Sequence, residues 1–164
     1  MNLTVRRTAV TGIMLAMILA FQTVRMPQLI TGTVVNSIFI FTLLYIGSGS
    51  ATILAVLSPV CAFFTGILPS VMYPVAFVIM FGNIFFILLY KYCLKSKQWV
   101  KIIIPALVKS LFIGVVGFYA MKMFNVTNMV SIINIMFFAI QFVTSIAGII
   151  LGTRLMRSLN PGGE

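Results

Sequence analysis

Acid is what this sequence most lacks. Glu164 is the single acidic residue and there is no histidine, against eleven Lys and Arg. Without histidine no Ser/His/Asp or Cys/His set can be assembled, and no paired carboxylates exist for acid–base work. The usual intramembrane carboxylate or imidazole proton relays are missing too. Cys61 and Cys93 lie in or beside apolar runs with no CxxC spacing, which gives no basis for a metal site or a disulfide framework. The phosphate-cradling pattern G-x-x-x-x-G-K-[ST] is absent, so nucleotide hydrolysis by that route is excluded. These absences argue against an enzyme, against a bound cofactor, and against a carrier powered by its own proton relay.

Charge of either sign is scarce. Only 7% of the 164 residues are charged, 62% are hydrophobic, and the mean hydropathy is +1.20. A soluble domain carries about 25% charged residues, so this composition describes an integral membrane protein. The length suits roughly six spans of about 20 residues. The apolar runs place them near 8–24, 33–47, 51–68, 75–92, 102–121 and 129–153, an all-α six-helix membrane domain over 1–164. The first run follows Arg6 and Arg7 and leads into a polar loop rather than a small-residue cleavage site, so it reads as a retained helix.

Basic residues explain topology better than nucleic-acid binding. With both termini cytoplasmic, Arg6, Arg7, Lys91, Lys95, Lys97, Lys101, Arg154 and Arg157 fall inside. Arg25 and Lys122 fall outside, and Lys109 lies in the membrane. That is a clear positive-inside bias. The segment 25–36 (RMPQLITGTVVN) and the connector 68–74 (LPSVMYP) then face outward.

Polar residues, spent sparingly elsewhere, crowd at Gln22, Arg25, Gln28, Thr31, Thr33 and Asn36. Pro27 removes a backbone donor and Gly32 permits a turn, so the sequence predicts a break in helix here. Such a segment is either a solvated connector or a loop folded over a ligand. Asn83 sits near the middle of the fourth span. On the sixth, Asn134, Gln141, Ser145, Gly148 and Gly152 share a narrow stripe at about 100° per residue. Its outer half is hydrogen-bonding and its inner half small, as expected for a helix that lines a polar cavity and packs closely below it. Interhelical hydrogen bonding alone would also account for Asn134 and Gln141.

Lys109 is the sharpest single residue. A cation in the bilayer interior costs about 2.5 to 3.5 kcal/mol on insertion scales, and no acid is placed to offset it. It must bind carbonyls or water, lose its proton, reach a partner protein or meet an anionic ligand. Snorkelling to the surface is awkward, because Lys109 lies about 12 Å of helical rise beyond Lys101.

On the first span, Thr8, Gly12, Ala16 and Ala20 recur every four residues and make one small face that another helix can approach. With this face, the segment PQLITGTVVN, the segment SATILAVLSPVCAFFTGILP and Gly82-Asn83, the chain resembles the substrate-binding S components of energy-coupling factor (ECF) transporters. That resemblance covers nearly the whole chain. It implies a six-helix bundle in a bacterial cell membrane that captures a vitamin or related micronutrient from outside, under a lid formed partly by the first loop. It implies delivery through a transmembrane coupling subunit driven by a pair of ATPase subunits. The coupling subunit would contact Gly12, Ala16 and Ala20. Candidate substrate contacts are Gln22, Arg25, Gln28, Thr31, Asn36, Asn83, Lys109, Asn134 and Gln141, and the unpaired Lys109 and Arg25 favour a carboxylate or phosphate on the ligand. A stand-alone facilitator or channel for a small polar solute would use the same cavity without partners, and an assembly subunit would use the polar stripe for packing alone.

Overall fold

The computed structural model describes residues 3–66, 73–124 and 130–159, except for the side chains of 73, 74 and 130–137. The described residues form six α-helices: α1 (Leu3–Thr23), α2 (Gln28–Tyr45), α3 (Ser48–Phe64), α4 (Tyr73–Tyr92), α5 (Gln98–Met123) and α6 (Val130–Leu159). A 3₁₀ turn, Cys93–Lys95, joins α4 to α5. Five helices carry stretches long and apolar enough to cross a membrane, and α3 is a shorter apolar helix of 17 residues. The chain is thus an all-helical, multi-pass membrane protein.

Helix α4 shows the membrane logic most plainly. Phe77, Phe81, Phe85 and Leu88 form its exposed stripe, whereas the inward face carries Asn83. A soluble helix would reverse that assignment, with apolar residues inward and polar ones out. The core lies between α2, α3, α4 and α6, centred on Phe39, Ile40, Leu54, Phe86 and Ile149, with Ile18 of α1 joining from the side. Helix α1 is peripheral. Six per cent of its spanning stretch is buried, against 33% to 44% in the other four spans.

Close approach of α2 and α6 depends on missing side chains. A Cβ at Gly152 would sit 2.6 Å from the Ser37 carbonyl oxygen, and one at Gly148 would meet the Asn36 side chain and backbone. The small inner half of the α6 stripe therefore packs on α2. In lipid, where apolar burial gives little drive, such van der Waals contact is a main source of helix association.

Polar pairs tie the helix ends at one pole of the bundle. Arg6 Nη2 donates to Tyr45 Oη at 3.2 Å, which sets the start of α1 beside the end of α2. Lys91 Nζ donates to Ser48 Oγ at 2.9 Å, joining the end of α4 to the start of α3. Other basic residues gather at the same pole: Arg7 near the start of α1, Lys95 and Lys97 in the α4–α5 connection, Lys101 in the first turn of α5, and Arg154 and Arg157 near the end of α6.

The segment 25–36 departs from expectation. The predicted second span, 33–47, starts early: α2 begins at Gln28, with Pro27 as its N-cap, and runs unbroken through Gly32 to Tyr45. Proline at a helix start removes a donor that has no intrahelical acceptor anyway. Gly32 is no turn residue but a contact, its Cβ position lying 3.1 Å from the Thr144 side chain. The break is confined to the few residues before Gln28, where Arg25 takes a left-handed φ of 54°. Similarly, the turn expected over Gly47–Ser50 shrinks to Ile46 and Gly47, the latter with φ of 121°, and α3 starts at Ser48. The connector 68–74 falls almost wholly outside the described residues.

Candidate functional site

All six helices contribute to one cavity of about 170 Å³. From α1 comes Gln22, and Arg25 comes from the turn that follows. Gln28, Thr31 and Asn36 line it from α2, Asn83 from α4, Lys109 from α5 and Gln141 from α6. Eight of the nine residues singled out from sequence thus meet in one place. The ninth, Asn134, has its side chain outside the described residues.

Lys109 anchors the polar side of the cavity. It is 2% exposed, and its Nζ donates to Asn36 Oδ1 at 2.6 Å and lies 4.7 Å from the centre of the Phe86 ring. Of the expectations for this residue, a carbonyl acceptor is met by the Asn36 amide, and the side chain points inward rather than snorkelling. The ammonium has three donors, of which Asn36 takes one. The ring supplies its negative face to the charge.

Asn36 passes the interaction on. Its Nδ2 donates to Thr144 Oγ1 at 3.5 Å, and that hydroxyl donates to the Gln141 backbone carbonyl at 3.2 Å. The lysine, which can only donate, fixes the amide with oxygen towards α5 and nitrogen towards α6. One directed chain therefore links α5, α2 and α6, and the closeness of α2 to α6 at Gly148 is what brings it within range.

The remaining amides are free to act on a guest. Asn83 and Gln141 are 5% and 6% exposed, line the cavity, and have no side-chain hydrogen bond among the described residues. Their amide groups open onto the cavity, where a bound polar molecule would meet them. Gln22 Nε2 donates to Ser58 Oγ at 3.0 Å, closing α1 onto α3, while Gln22 Oε1 is buried without a donor among the described residues. Arg25 and Gln28 are exposed at the α1–α2 turn, and Arg25 has no acidic partner among the described residues. Thr31 sits one turn into α2, its hydroxyl donating to the Met26 carbonyl at 3.2 Å.

Val35, Pro59, Ala62 and Ile79 add apolar lining. The cavity thus combines a cation and several amides with apolar side chains, the usual make-up of a small-molecule site. An apolar cavity of about 150 Å³ holds benzene, so a guest portion about the size of one ring fits here.

Sequence reading missed Ser58, Phe86 and Thr144. Each had a usable signal: Ser58 precedes a proline inside an apolar span, and Phe86 and Thr144 stand three residues after Asn83 and Gln141, on the same helix faces.

The α1 candidates lie elsewhere. Gly12, Ala16 and Ala20 are exposed on the outside of the bundle, and a Cβ at Gly12 would have nothing within 4 Å. No family model matches this chain, and no curated protein or solved structure matches it.

Proposed function

We propose that the protein captures a small solute bearing a carboxylate or phosphate in the six-helix cavity and hands it to partner subunits, as an ECF S component does. The observation that carries this reading is the convergence of Lys109 with the unpartnered amides of Asn83 and Gln141, in a chain whose sole acid is Glu164. A buried cation held by a neutral amide and a ring face is stabilised further by any anion that enters.

Arg25, exposed at the α1–α2 turn, would attract the anion, and Lys109 would receive it. The positive-inside bias puts that turn outside the cell. Delivery is assigned to partners because the chain lacks a nucleotide-hydrolysing loop and an intramembrane proton relay. The free small face of α1 supplies a surface for a coupling subunit. In this reading the guest is a vitamin or related micronutrient, and the setting is a bacterial cell membrane.

The test is to denature the purified protein and identify any released small molecule by mass spectrometry. A stoichiometric carboxylate- or phosphate-bearing compound is expected, with affinity at least tenfold weaker in Lys109→Met, since truncating one partner of a buried charged contact costs about 2–5 kcal/mol. Sustained uptake by the protein alone in liposomes would replace this reading with a facilitator.

A further inference from the structure

A second cavity, larger than the polar one, lies elsewhere among the described residues. At the basic pole, a pocket of about 430 Å³ opens where the end of α4, the start of α5 and the end of α6 meet. It shares no lining residue with the polar cavity. Lys101 from α5 and Arg154 and Arg157 from α6 bring three cations to it, and none has an acidic partner among the described residues. The first turn of α5 adds the positive end of a 26-residue helix whose N-terminus no side chain caps.

Two further features show what the pocket is built to hold. Tyr90, 1% exposed, lines it with a hydroxyl that makes no hydrogen bond among the described residues. Its ring is buried while the hydroxyl opens onto the pocket, where a ligand oxygen beside the cations would give it a partner. Below the charges the wall turns aliphatic, through Ile102, Ile149 and Ile150, and Trp99 stands 76% exposed at the rim. Cations over an aliphatic wall, with an indole at the boundary, match an amphiphile lying along the bundle rather than a free ion. Trp is the residue that settles at the level of lipid headgroups, and basic pockets between membrane helices take anionic headgroups.

We propose that this pocket is a specific site for the phosphate of an anionic phospholipid, with the Lys101, Arg154 and Arg157 charges and the Tyr90 hydroxyl on the headgroup and an acyl chain along Ile149 and Ile150. The site joins α4, α5 and α6 at the pole opposite the α1–α2 turn, so its occupant would fasten those three helices together. The inference does not depend on what the polar cavity binds.

Native mass spectrometry from mixed micelles of phosphatidylglycerol and phosphatidylcholine with identical acyl chains tests it. One retained phosphatidylglycerol is expected, preferred about tenfold or more over phosphatidylcholine, given roughly tenfold-scale gains from even one or two interfacial cations. The preference should fall to about twofold or less in Arg154→Gln/Arg157→Gln. Tyr90→Phe, which keeps the ring in the core, should weaken it severalfold without lowering the unfolding temperature in lipid-free detergent. Equal retention of the two lipids, or a preference unchanged in the double variant, overturns the proposal. So does inorganic phosphate if, at millimolar concentration, it stabilises the lipid-free protein and abolishes the lipid preference, because the pocket would then serve a free anion.

Discussion

Helices α1 and α6 each carry small residues spaced by four, and the fold treats the two stripes in opposite ways. On α6, Gly148 and Gly152 are buried against α2, where added Cβ atoms would strike Asn36 and the Ser37 carbonyl. On α1, Gly12, Ala16 and Ala20 are all exposed, with open space around the Gly12 Cβ position. Spacing by four says only that a helix can be approached closely. Which surface uses that capacity depends on the rest of the fold, and here one stripe assembles the bundle while the other is left over.

The buried stripe sets the largest expected effect. Gly148→Leu would drive four carbons into the α2 backbone, where overpacking costs about 1–3 kcal/mol and occasionally more. Because that contact also holds Asn36 towards Lys109, we expect about 3 kcal/mol or more of lost stability and a poor yield of monodisperse protein. The midpoint of denaturant unfolding in detergent measures it. A midpoint near wild type would mean that α2 and α6 are not in contact at Gly148.

Asn36→Ala probes the same contact from the other side. It leaves the Lys109 ammonium without its acceptor, and a hydrogen bond to a charged group is worth about 1.5–3 kcal/mol. Lys109→Met in the same background should recover part of that loss, since no stranded cation remains. A double-mutant cycle reads the coupling directly. A coupling near zero would show that the 2.6 Å contact carries no energy.

How much of this was legible before the structure follows from the solvent. In an apolar chain each polar side chain inside a span is costly, so Gln22, Asn83, Lys109 and Gln141 stand out, and the fold brings them to one cavity. Membership was easier to read than partnership. Asn36 as the acceptor for Lys109 joins residues 73 apart, and no local pattern encodes that pairing. The same limit produced the error at 25–36. Pro27 and Gly32 together suggest a turn, yet proline suits a helix start and Gly32 answers to Thr144, more than a hundred positions away. The pocket at the basic pole was hidden differently. Lys101, Arg154 and Arg157 were absorbed by the topology argument, which counts charges per side and is blind to their convergence.

The exposed stripe yields the smallest expected effect on the fold, and that makes it informative. Ala16→Leu/Ala20→Leu adds apolar bulk to a surface already facing outward, so each change should alter stability by no more than about 0.5 kcal/mol. Ligand affinity should stay at its wild-type value, because neither residue lines the polar cavity. If α1 docks a coupling subunit as proposed, uptake by whole cells should nevertheless fall sharply, as two leucine side chains would hold a partner helix away from the face that glycine and alanine leave open. Unchanged uptake would reduce the stripe to a lipid-facing surface and remove the basis for delivery through α1. A large loss of stability would mean that α1 already packs on something through these residues, which would undo the contrast with α6. With the fold and affinity intact and uptake lost, the two stripes would be separated by function as clearly as they are by burial.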